Sequence, residues 1–258
     1  MWLLSASEVP TMETVKVQFL GSGDAFGSGG RLHTCICIRA STCTFLVDCG
    51  ASSLIALRRF GVVPNDIDMI LLTHLHGDHF GGIPFFVLDA QLMSKRSRPL
   101  VIVGPPGTQS RVVAAMDIFF PGSSQIQQQF ALEIREFALD QPHTLGGVIV
   151  TPYRVQHPAG DPSLALRMEC NGKTITYTGD TEWTETLIPA AKGADLLIAE
   201  AYFFEKKVKF HLDFQTLMAH LDELQPKRLI VAHMSEDMLA RLGEIPCECA
   251  EDGKLIEV

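Results

Sequence analysis

Four side chains of types that commonly bind metal ions lie within six consecutive residues. They belong to the segment 73–82, which reads THLHGDHFGG. His74, His76, Asp78 and His79 offer the nitrogen and oxygen donors that Zn²⁺, Mn²⁺ and iron accept. Donors two residues apart in an extended loop, followed by two adjacent donors at a turn, do not converge readily on one ion. Two neighbouring ions suit this spacing better. The alternative is that these are ordinary surface or core residues, but so many clustered polar groups would then lack the partners that offset the cost of burying them.

The apolar run 69–72, directly before this segment, predicts a short buried strand. The four donors then lie on the loop at its C-terminal end, and loops held by a rigid strand are where sites are usually built. Gly77, Gly81 and Gly82 allow the backbone to bend tightly around whatever the donors hold.

Three more donors stand at the ends of predicted strands. His157 and Asp180 follow such strands, and His233 ends one. A carboxylate at position 180 has two oxygens with free lone pairs, so it can bridge two cations. The repeated placement indicates one site built from several strand ends. The three strands are predicted at 147–155, 174–178 and 228–233.

The segment 74–79 resembles the H-x-H-x-D-H signature of the metallo-β-lactamase superfamily of binuclear metallohydrolases. In that family the pattern continues with a histidine, a bridging aspartate and a final histidine, and this order is matched between Phe19 and His233. The resemblance implies a first ion held by His74, His76 and His157, a second held by Asp78, His79 and His233, and a bridging Asp180.

The implied cofactors are two divalent metal ions. Zinc is the first choice, with manganese and iron as alternatives, because His/Asp sites accept all three and availability often decides. Ions held roughly 3.5–4 Å apart would share a water molecule and lower its pKa to about 7. Asp78 is predicted to be catalytic as well as a ligand, because it can orient that water.

Glu200 and His211 are predicted to form an acid pair. A phosphodiester leaving group departs as an alkoxide and benefits from a general acid. A glutamate partner raises the pKa of a histidine and keeps it protonated. The alternative is a surface histidine near the lysines that precede it at positions 206, 207 and 209.

The pair is similar to the proton-donating dyad of ribonuclease Z and related phosphodiesterases, and 22 positions separate His211 from His233, in keeping with that family. The segments 21–24 and 47–50 also resemble its N-terminal elements. One departure is that Leu and Asp follow His211 where the ribonuclease has Ser and Thr.

A larger departure lies between His157 and Asp180. Ribonuclease Z carries an inserted Gly/Pro/Lys-rich arm there that grips tRNA. Only 22 residues, 158–179, separate the two positions here, which is enough for a loop and a hairpin. We therefore do not expect tRNA 3′ processing unless a partner supplies the arm.

The composition bounds the class of protein. With 258 residues, 47% hydrophobic and 20% charged, the chain can bury a sizeable core. We expect one domain over 1–258, with residues 1–12 as a flexible extension. The net charge of −9 argues against an extended nucleic-acid surface. It allows a small anionic substrate, because bound dications invert the local charge.

The cysteines and the N-terminus indicate a cytoplasmic protein. The seven cysteines contain no Cys-x-x-Cys pair, which favours small buried side chains in a reducing compartment. The start of the chain is only briefly apolar, and no run approaches the length of a transmembrane helix, so no membrane association is expected. A homodimer is implied only by analogy with the family.

The order of the elements predicts an α/β fold, the αββα sandwich of the metallo-β-lactamase superfamily, with two mixed sheets and helices on the outer faces. Two passes of strands followed by helices lead to this prediction. Further strands are predicted at 15–20, 34–39, 43–48, 100–103, 130–137, 164–170 and 196–200. Helices are predicted at 52–60, 82–93, 108–119, 183–192 and 214–224. The glycines at 21, 23 and 27 do not fit a dinucleotide-binding motif.

The sequence thus predicts a binuclear hydrolase of a small phosphodiester or cyclic phosphate. The main competing hypothesis is a hydrolase of a lactone, thioester or β-lactam on the same metals, which gives Glu200 and His211 no role as an acid pair. The motifs fit a tRNA 3′ endonuclease or a non-catalytic metal-binding protein less well.

Overall fold

The structure, a computed structural model, describes residues 14–159 and 162–258. The extension predicted for residues 1–12 lies outside the described residues. Within them the chain forms fourteen strands. In chain order these are β1 (Lys16–Gly21), β2 (Cys35–Arg39), β3 (Thr44–Val47), β4 (Met69–Leu71), β5 (Leu100–Gly104), β6 (Leu132–Glu136), β7 (His143–Leu145), β8 (Val148–Val155), β9 (Ser163–Cys170), β10 (Lys173–Tyr177), β11 (Leu196–Glu200), β12 (Leu229–Ala232), β13 (Glu248–Cys249) and β14 (Leu255–Glu257).

The strands form two mixed sheets of seven strands each within the described ranges. The first sheet has the order β14-β1-β2-β3-β4-β5-β6 and the second has β13-β12-β11-β10-β9-β8-β7. In the first, neighbours from β14 to β3 are antiparallel and those from β3 to β6 are parallel. In the second, neighbours from β7 to β10 are antiparallel and those from β10 to β13 are parallel. The two halves of the chain therefore repeat one pattern.

Eight α-helices are present in the described part of the chain. They are α1 (Ser53–Arg59), α2 (Gly77–Phe80), α3 (Ile83–Leu92), α4 (Thr108–Phe119), α5 (Leu187–Ala191), α6 (Phe214–Ala219), α7 (Leu221–Leu224) and α8 (Glu236–Leu239). None of these helices has the length and apolar character needed to cross a membrane. Single 3-10 turns occupy Ser28–Gly30, Pro64–Asp66, Ser123–Gln125 and Leu242–Glu244.

Three apolar clusters hold the layers together. The largest lies between the two sheets and contains Phe19, Phe45 and Tyr177. A second fills the space between the first sheet and α1, α3 and α4. A third lies between the second sheet and α5 to α8. Burial of apolar area on both faces of each sheet is the main stabilising term, at roughly 25 cal/mol per Å². The predicted αββα sandwich is confirmed.

Local signals account for most element boundaries. Asn171 and Gly172, which join β9 to β10, both have positive φ angles (49° and 72°), as the predicted hairpin turn requires. Ser52 occupies the predicted N-cap of α1, but its side chain does not cap the helix. Its hydroxyl instead accepts a hydrogen bond from the backbone N–H of His33 at 2.8 Å.

Some predicted boundaries were wrong. The helix predicted over 183–192 forms only at Leu187–Ala191, and the helix predicted over 214–224 is divided at His220 into α6 and α7. The strand predicted over 130–137 is the shorter edge strand β6. Three short strands, β7, β13 and β14, were not predicted, because each has only two or three residues and no apolar run.

The cysteines behave as the sequence predicts. All seven lie in the described residues and are free thiols, and five of them are buried. Burial raises the pKa of the Cys37 thiol to about 11 and that of Cys49 to about 12, so neither thiol is reactive at neutral pH.

Candidate metal centre

The seven predicted ligands lie together at one edge of the sandwich. At this edge the backbone N–H of Leu164, in β9, donates a hydrogen bond at 2.9 Å to the carbonyl of Thr73, which follows β4. The predicted ligands sit just beyond the ends of four strands. His74, His76, Asp78 and His79 follow β4, His157 follows β8, Asp180 follows β10 and His233 follows β12.

The segment predicted as a loop contains a short helix. Asp78 and His79 lie in α2, and His76 precedes it in an extended conformation. This bend turns two adjacent donors toward the same space. The segment packs directly on Gly50, where a Cβ atom would lie 2.1 Å from the carbonyl oxygen of Asp78. A side chain larger than hydrogen at position 50 would push the donors out of place.

His74, His76 and His157 form one group, whose candidate ligand atoms all lie within 4.8 Å of one another. The Nδ1 atom of His76 is 3.1 Å from Nε2 of His157. Tetrahedral Zn–N bonds of about 2.0–2.1 Å place neighbouring nitrogens about 3.3 Å apart. The spacing of this group therefore suits one cation.

Asp78, His79, Asp180 and His233 form the second group within the same distance limit. His79 Nε2 lies 3.3 Å from both Asp78 Oδ2 and Asp180 Oδ1. Asp180 Oδ2 lies 3.2 Å from His233 Nε2. These four side chains are all buried.

Asp180 lies between the two groups. Its Oδ2 atom is 3.8 Å from His74 Nε2 and 3.9 Å from His157 Nε2, both in the first group. The same carboxylate contacts His79 and His233 in the second group. The position is the one that a bridging carboxylate requires.

Most of the imidazoles are oriented through their other ring nitrogen. The Nδ1 atoms of His74 and His79 pair with Thr73 Oγ1 at 3.0 Å and with Asp48 Oδ2 at 2.7 Å. Those of His157 and His233 pair with the carbonyl of Phe210 at 2.9 Å and with Thr34 Oγ1 at 3.3 Å. Partners of this kind fix the tautomer and the ring orientation of metal ligands.

Asp48 contacts a predicted ligand, and sequence reasoning assigned it no role of its own. It is fully buried and accepts hydrogen bonds from the backbone N–H and hydroxyl of Thr73, as well as contacting His79. Its φ angle of 60° is uncommon for a residue other than glycine. An acidic residue directly after a buried strand, with glycine two positions later, is the signal that would have found it.

The electrostatics of the cluster favour bound positive charge. Burial lowers the pKa of His74 well below its usual range and that of His157 to about 4, so both imidazoles keep a free nitrogen lone pair. Burial also disfavours charge on His79, but Asp180, Asp48 and Asp78 outweigh it and raise the pKa of His79 well above its usual range. The buried carboxylates around His79 therefore favour a positive charge at this place.

Three buried polar atoms of the cluster have no hydrogen-bond partner among the described residues: His74 Nε2, His79 Nε2 and Asp180 Oδ1. Buried polar atoms are nearly always paired in proteins. All three face the interior of the cluster, where the seven side chains supply nitrogen and carboxylate donors and no thiolate. The residues present therefore fit two divalent ions.

Glu200 and His211 are brought together beside the cluster, as predicted. The Nδ1 atom of His211 lies 2.5 Å from Oε1 of Glu200. The other oxygen of Glu200 accepts hydrogen bonds from the backbone N–H groups of Thr181 and Leu212, at 2.8 and 3.2 Å. Burial opposes a charged imidazole, but the hydrogen bond and the charge of Glu200 raise the pKa of His211. The raised pKa favours the protonated imidazole that a general acid needs.

A cavity of about 320 Å³ opens over these groups. His76, Asp78, His157, Asp180, His211 and His233 all line it. Two aromatic residues that the sequence did not reveal as site residues also line it. Tyr202 stacks on His211 with ring centroids 4.6 Å apart, and Phe26 stands at the rim with 83% of its surface exposed.

Known proteins with similar sequences and folds are metallohydrolases. Ribonuclease Z of Mycobacterium bovis is 27% identical over 193 residues, which cover 71% of this chain and 69% of the relative. Ribonuclease Z of an Exiguobacterium species is 25% identical over 285 residues, covering 92% and 94%. The crystal structure of the human tRNase Z short form superposes with a TM-score of 0.75 at 25% identity, covering 93% of this chain and 98% of that one.

The metallo-β-lactamase fold protein YhfI from Bacillus subtilis has a TM-score of 0.76 at 22% identity, with 95% and 100% of the chains covered, a likeness that shows the fold alone. Fold and relatives together define the chain as a metal-dependent hydrolase of the metallo-β-lactamase superfamily, similar to ribonuclease Z. The model of one family, described as Anti-Pycsar protein Apyc1, matches residues 15–245. The chain belongs to this family.

Proposed function

We propose that the chain is a binuclear phosphodiesterase that hydrolyses a small phosphodiester or cyclic phosphate. The observation that carries the proposal is the pair of buried Glu200 and half-buried His211, whose candidate ligand atoms lie within 4.8 Å of those of Asp180 and His233. A protonated imidazole at that place serves a reaction whose leaving group departs as an alkoxide.

In this proposal His74, His76 and His157 would hold one divalent ion, Asp78, His79 and His233 would hold the other, and Asp180, which lies between the two groups, would contribute to both. Zinc is the first choice for both, with manganese and iron as alternatives. Such ions, when bound, lower the pKa of a water molecule and offset the negative charge that develops on the phosphoryl group.

The remaining chemistry belongs to side chains of the chain itself. Asp78 lines the cavity and can orient the attacking water. His211 donates its proton to the departing oxygen. Glu200 is fixed by two backbone N–H groups and stabilises the charged imidazole of His211. Tyr202 covers one face of that imidazole and restricts its rotation.

The alternative is hydrolysis of a lactone, thioester or β-lactam, in which the dyad has no task. A panel of substrates separates the two. We expect turnover of diesters and cyclic phosphates, a loss of about 10²-fold or more in His211→Ala, and no turnover of the acyl substrates. Turnover of acyl substrates that His211→Ala leaves unchanged would support the alternative.

We do not propose tRNA 3′ processing, although the relatives include ribonuclease Z. Between His157 and Asp180, the described residues form the hairpin of β9 and β10 and contain no inserted arm. A small substrate is instead consistent with a cavity of about 320 Å³, and the net charge of −9 argues against an extended nucleic-acid surface.

We propose further that two copies of the chain associate through α3 and α4. Most residues of α3 are buried, but its apolar side chains Phe85 and Leu92 are 37% and 52% exposed. On α4, Ile118 and Phe119 are 75% and 51% exposed, and Phe119 contacts Phe85 of α3 with ring centroids 5.7 Å apart. Contiguous apolar surface of this kind usually marks an interface.

A further inference from the structure

A second cavity, of about 420 Å³, shares one wall with the catalytic cavity. That wall is His211, which lines both. The other walls include Trp183, Lys207, Lys209 and His220. None of the predicted metal ligands lines it, so the catalytic machinery leaves this second cavity unexplained.

The lysines beside the second cavity have no carboxylate partners. Lys206, Lys207 and Lys209 are exposed, and none forms an ion pair with any residue in 14–159 or 162–258. Lys206 and Lys209 lie over phenylalanine rings, with Nζ 4.9 Å from the centroid of Phe203 and 4.6 Å from that of Phe210. Three lysines in four positions are a local excess of positive charge on a chain whose net charge is −9.

Neither of the two carboxylates that line the second cavity forms an ion pair with Lys207 or Lys209, and both accept hydrogen bonds from other groups. Glu182 accepts a hydrogen bond from the backbone N–H of Phe210 at 2.9 Å. Asp213 caps α6, where it accepts from the backbone N–H of Thr216 at 2.9 Å and from its hydroxyl at 2.6 Å. Both carboxylates stabilise the loop backbone, whereas the ammonium groups have no acceptor in the described part of the chain.

The loop that carries the lysines is tied to the catalytic centre. Phe210 has a φ angle of 72°, which is rare for a bulky side chain and marks a position held by its surroundings. Its N–H donates to Glu182, and its carbonyl accepts from Nδ1 of His157. The next residue is His211, so whatever binds the lysines lies next to the proton donor.

Trp183 and His220 add a flat wall to the second cavity. Their rings stack with centroids 3.7 Å apart and an interplanar angle of 10°. The Nδ1 atom of His220 pairs with Glu223 at 2.8 Å, which fixes the ring pair. A flat aromatic surface beside these ammonium groups suits a planar ring that carries a phosphate.

We propose that the second cavity binds a phosphate group on the leaving alcohol of the substrate. This inference rests on the phosphodiesterase function proposed above. His211 lines both cavities, so a leaving group that takes its proton from His211 would come within reach of the second cavity, where Lys207 and Lys209 stand. The preferred substrate is then a phosphodiester whose leaving alcohol carries a second phosphate, as a nucleoside phosphate does.

The test compares three dinucleotides that differ only in a terminal phosphate: ApA, pApA and ApAp. Whichever oxygen departs, one of the phosphorylated forms carries its extra phosphate on the leaving nucleoside. We expect kcat/KM for that form to exceed kcat/KM for ApA by on the order of tenfold, since charge-assisted hydrogen bonds are the stronger ones. Equal values for all three would overturn the proposal.

Paired variants assign the preference to the lysines. Lys207→Gln/Lys209→Gln is expected to abolish the preference and to leave hydrolysis of bis-p-nitrophenyl phosphate unchanged. The control, Lys95→Gln/Lys192→Gln, makes the same change in charge at exposed lysines that line neither cavity, and it should keep the preference. A preference that survives in the first variant would overturn the proposal.

A binding measurement separates failure of this site from failure of the proposed function. In a Trp2→Phe background Trp183 is the one remaining tryptophan, and its fluorescence reports on the second cavity. Adenosine 3′,5′-bisphosphate contains no diester and should bind about tenfold more weakly to the double lysine variant. If the bisphosphate binds in this way but no diester is hydrolysed, the proposed phosphodiesterase function is refuted, whereas the proposed phosphate-binding site is supported. The proposed subsite would be refuted if the fluorescence of Trp183 showed no saturable change with adenosine 3′,5′-bisphosphate. It would also be refuted if inorganic phosphate bound as tightly as the bisphosphate.

Discussion

The Nδ1 atom of His79 lies 2.7 Å from Oδ2 of Asp48, and both side chains are fully buried. The other nitrogen of His79 faces Asp78 and Asp180 in the second ligand group. Asp48 thus orients the ring without lying among the candidate ligands. A carboxylate behind a ligating imidazole also increases its basicity.

Asp48→Asn should weaken binding of the second ion by roughly 10–100-fold, because the charge behind His79 is lost while the shape is kept. Asparagine tolerates the positive φ angle at this position, so the fold should persist. Metal content after dialysis against graded chelator concentrations measures the change. The structural control is circular dichroism of the metal-free proteins, and unchanged retention of two ions per chain would refute an orienting role.

The effect of removing the dyad should depend on the leaving group. His211→Ala and Glu200→Gln should slow hydrolysis of a diester with an alkyl leaving group by about 10²–10⁴-fold. They should slow p-nitrophenolate departure far less, because that oxygen leaves without a proton. Measuring kcat for both substrate types with metal content verified gives the ratio. Equal losses on both would show that His211 acts in some way other than proton donation.

The apolar face formed by α3 and α4 should control the oligomeric state. Ile118→Asp/Phe119→Asp should convert a dimer into a monomer, because burying two carboxylates in an apolar interface is unfavourable. Light scattering coupled to gel filtration measures the mass. Ile55→Asp is the matched control, since Ile55 is also exposed, at 60%, but lies on α1. A monomeric parent protein would contradict the proposed association.

Glu248 should make stability depend on pH in the acid range. Its hydrogen bonds to Arg228 and Lys254, together with their charges, outweigh the effect of burial and lower the pKa of Glu248 to about 2. A lowered folded-state pKa contributes stability above the unfolded value near 4.5, and this contribution is lost as the pH falls from about 4.5 to 2.

Because the side chain of Glu248 is 40% exposed, solvent screening limits the effect of Glu248→Gln to about 1 kcal/mol or less at pH 7. The loss in unfolding free energy, measured with urea, should shrink toward zero between pH 4.5 and 2. Glu251→Gln, an exposed neighbour outside this network, is the control. A destabilisation that is constant with pH would show that the ion pairs are not responsible.

The sequence was most informative where side chains that can bind metal ions stand next to the apolar runs of predicted strands. Most of the seven donors were predicted from polar residues at the ends of apolar runs, whereas Glu200 and His211 were predicted as a dyad from their chemistry and from the resemblance to ribonuclease Z. The structure brings all nine residues together. Roles that depend on long-range contact left no local signal. Phe26 stands at the cavity rim only because Asp24 folds its loop back, accepting hydrogen bonds from the N–H groups of Phe26 and Ser28.

The short strands illustrate the same limit. β13 has two residues and pairs in parallel with β12, and β14 has three and pairs with β1, at the other end of the sequence. Such strands are stabilised by their pairing with distant strands, so neither the strand propensity of their residues nor a two-residue hydrophobic period predicts them. Pairing of Phe210 with His157 across 53 positions is equally invisible to a local pattern.

The most direct test of the account is hydrolysis of bis-p-nitrophenyl phosphate by protein whose metal ions have been counted, alongside the Asp180→Ala variant. Asp180 contacts both ligand groups, so its removal should disrupt both sites at once. The account predicts two ions per chain and turnover in the parent protein, with both lost in the variant. Two bound ions with no turnover of this or any other diester would contradict it, and would leave His211 without a reacting oxygen to protonate.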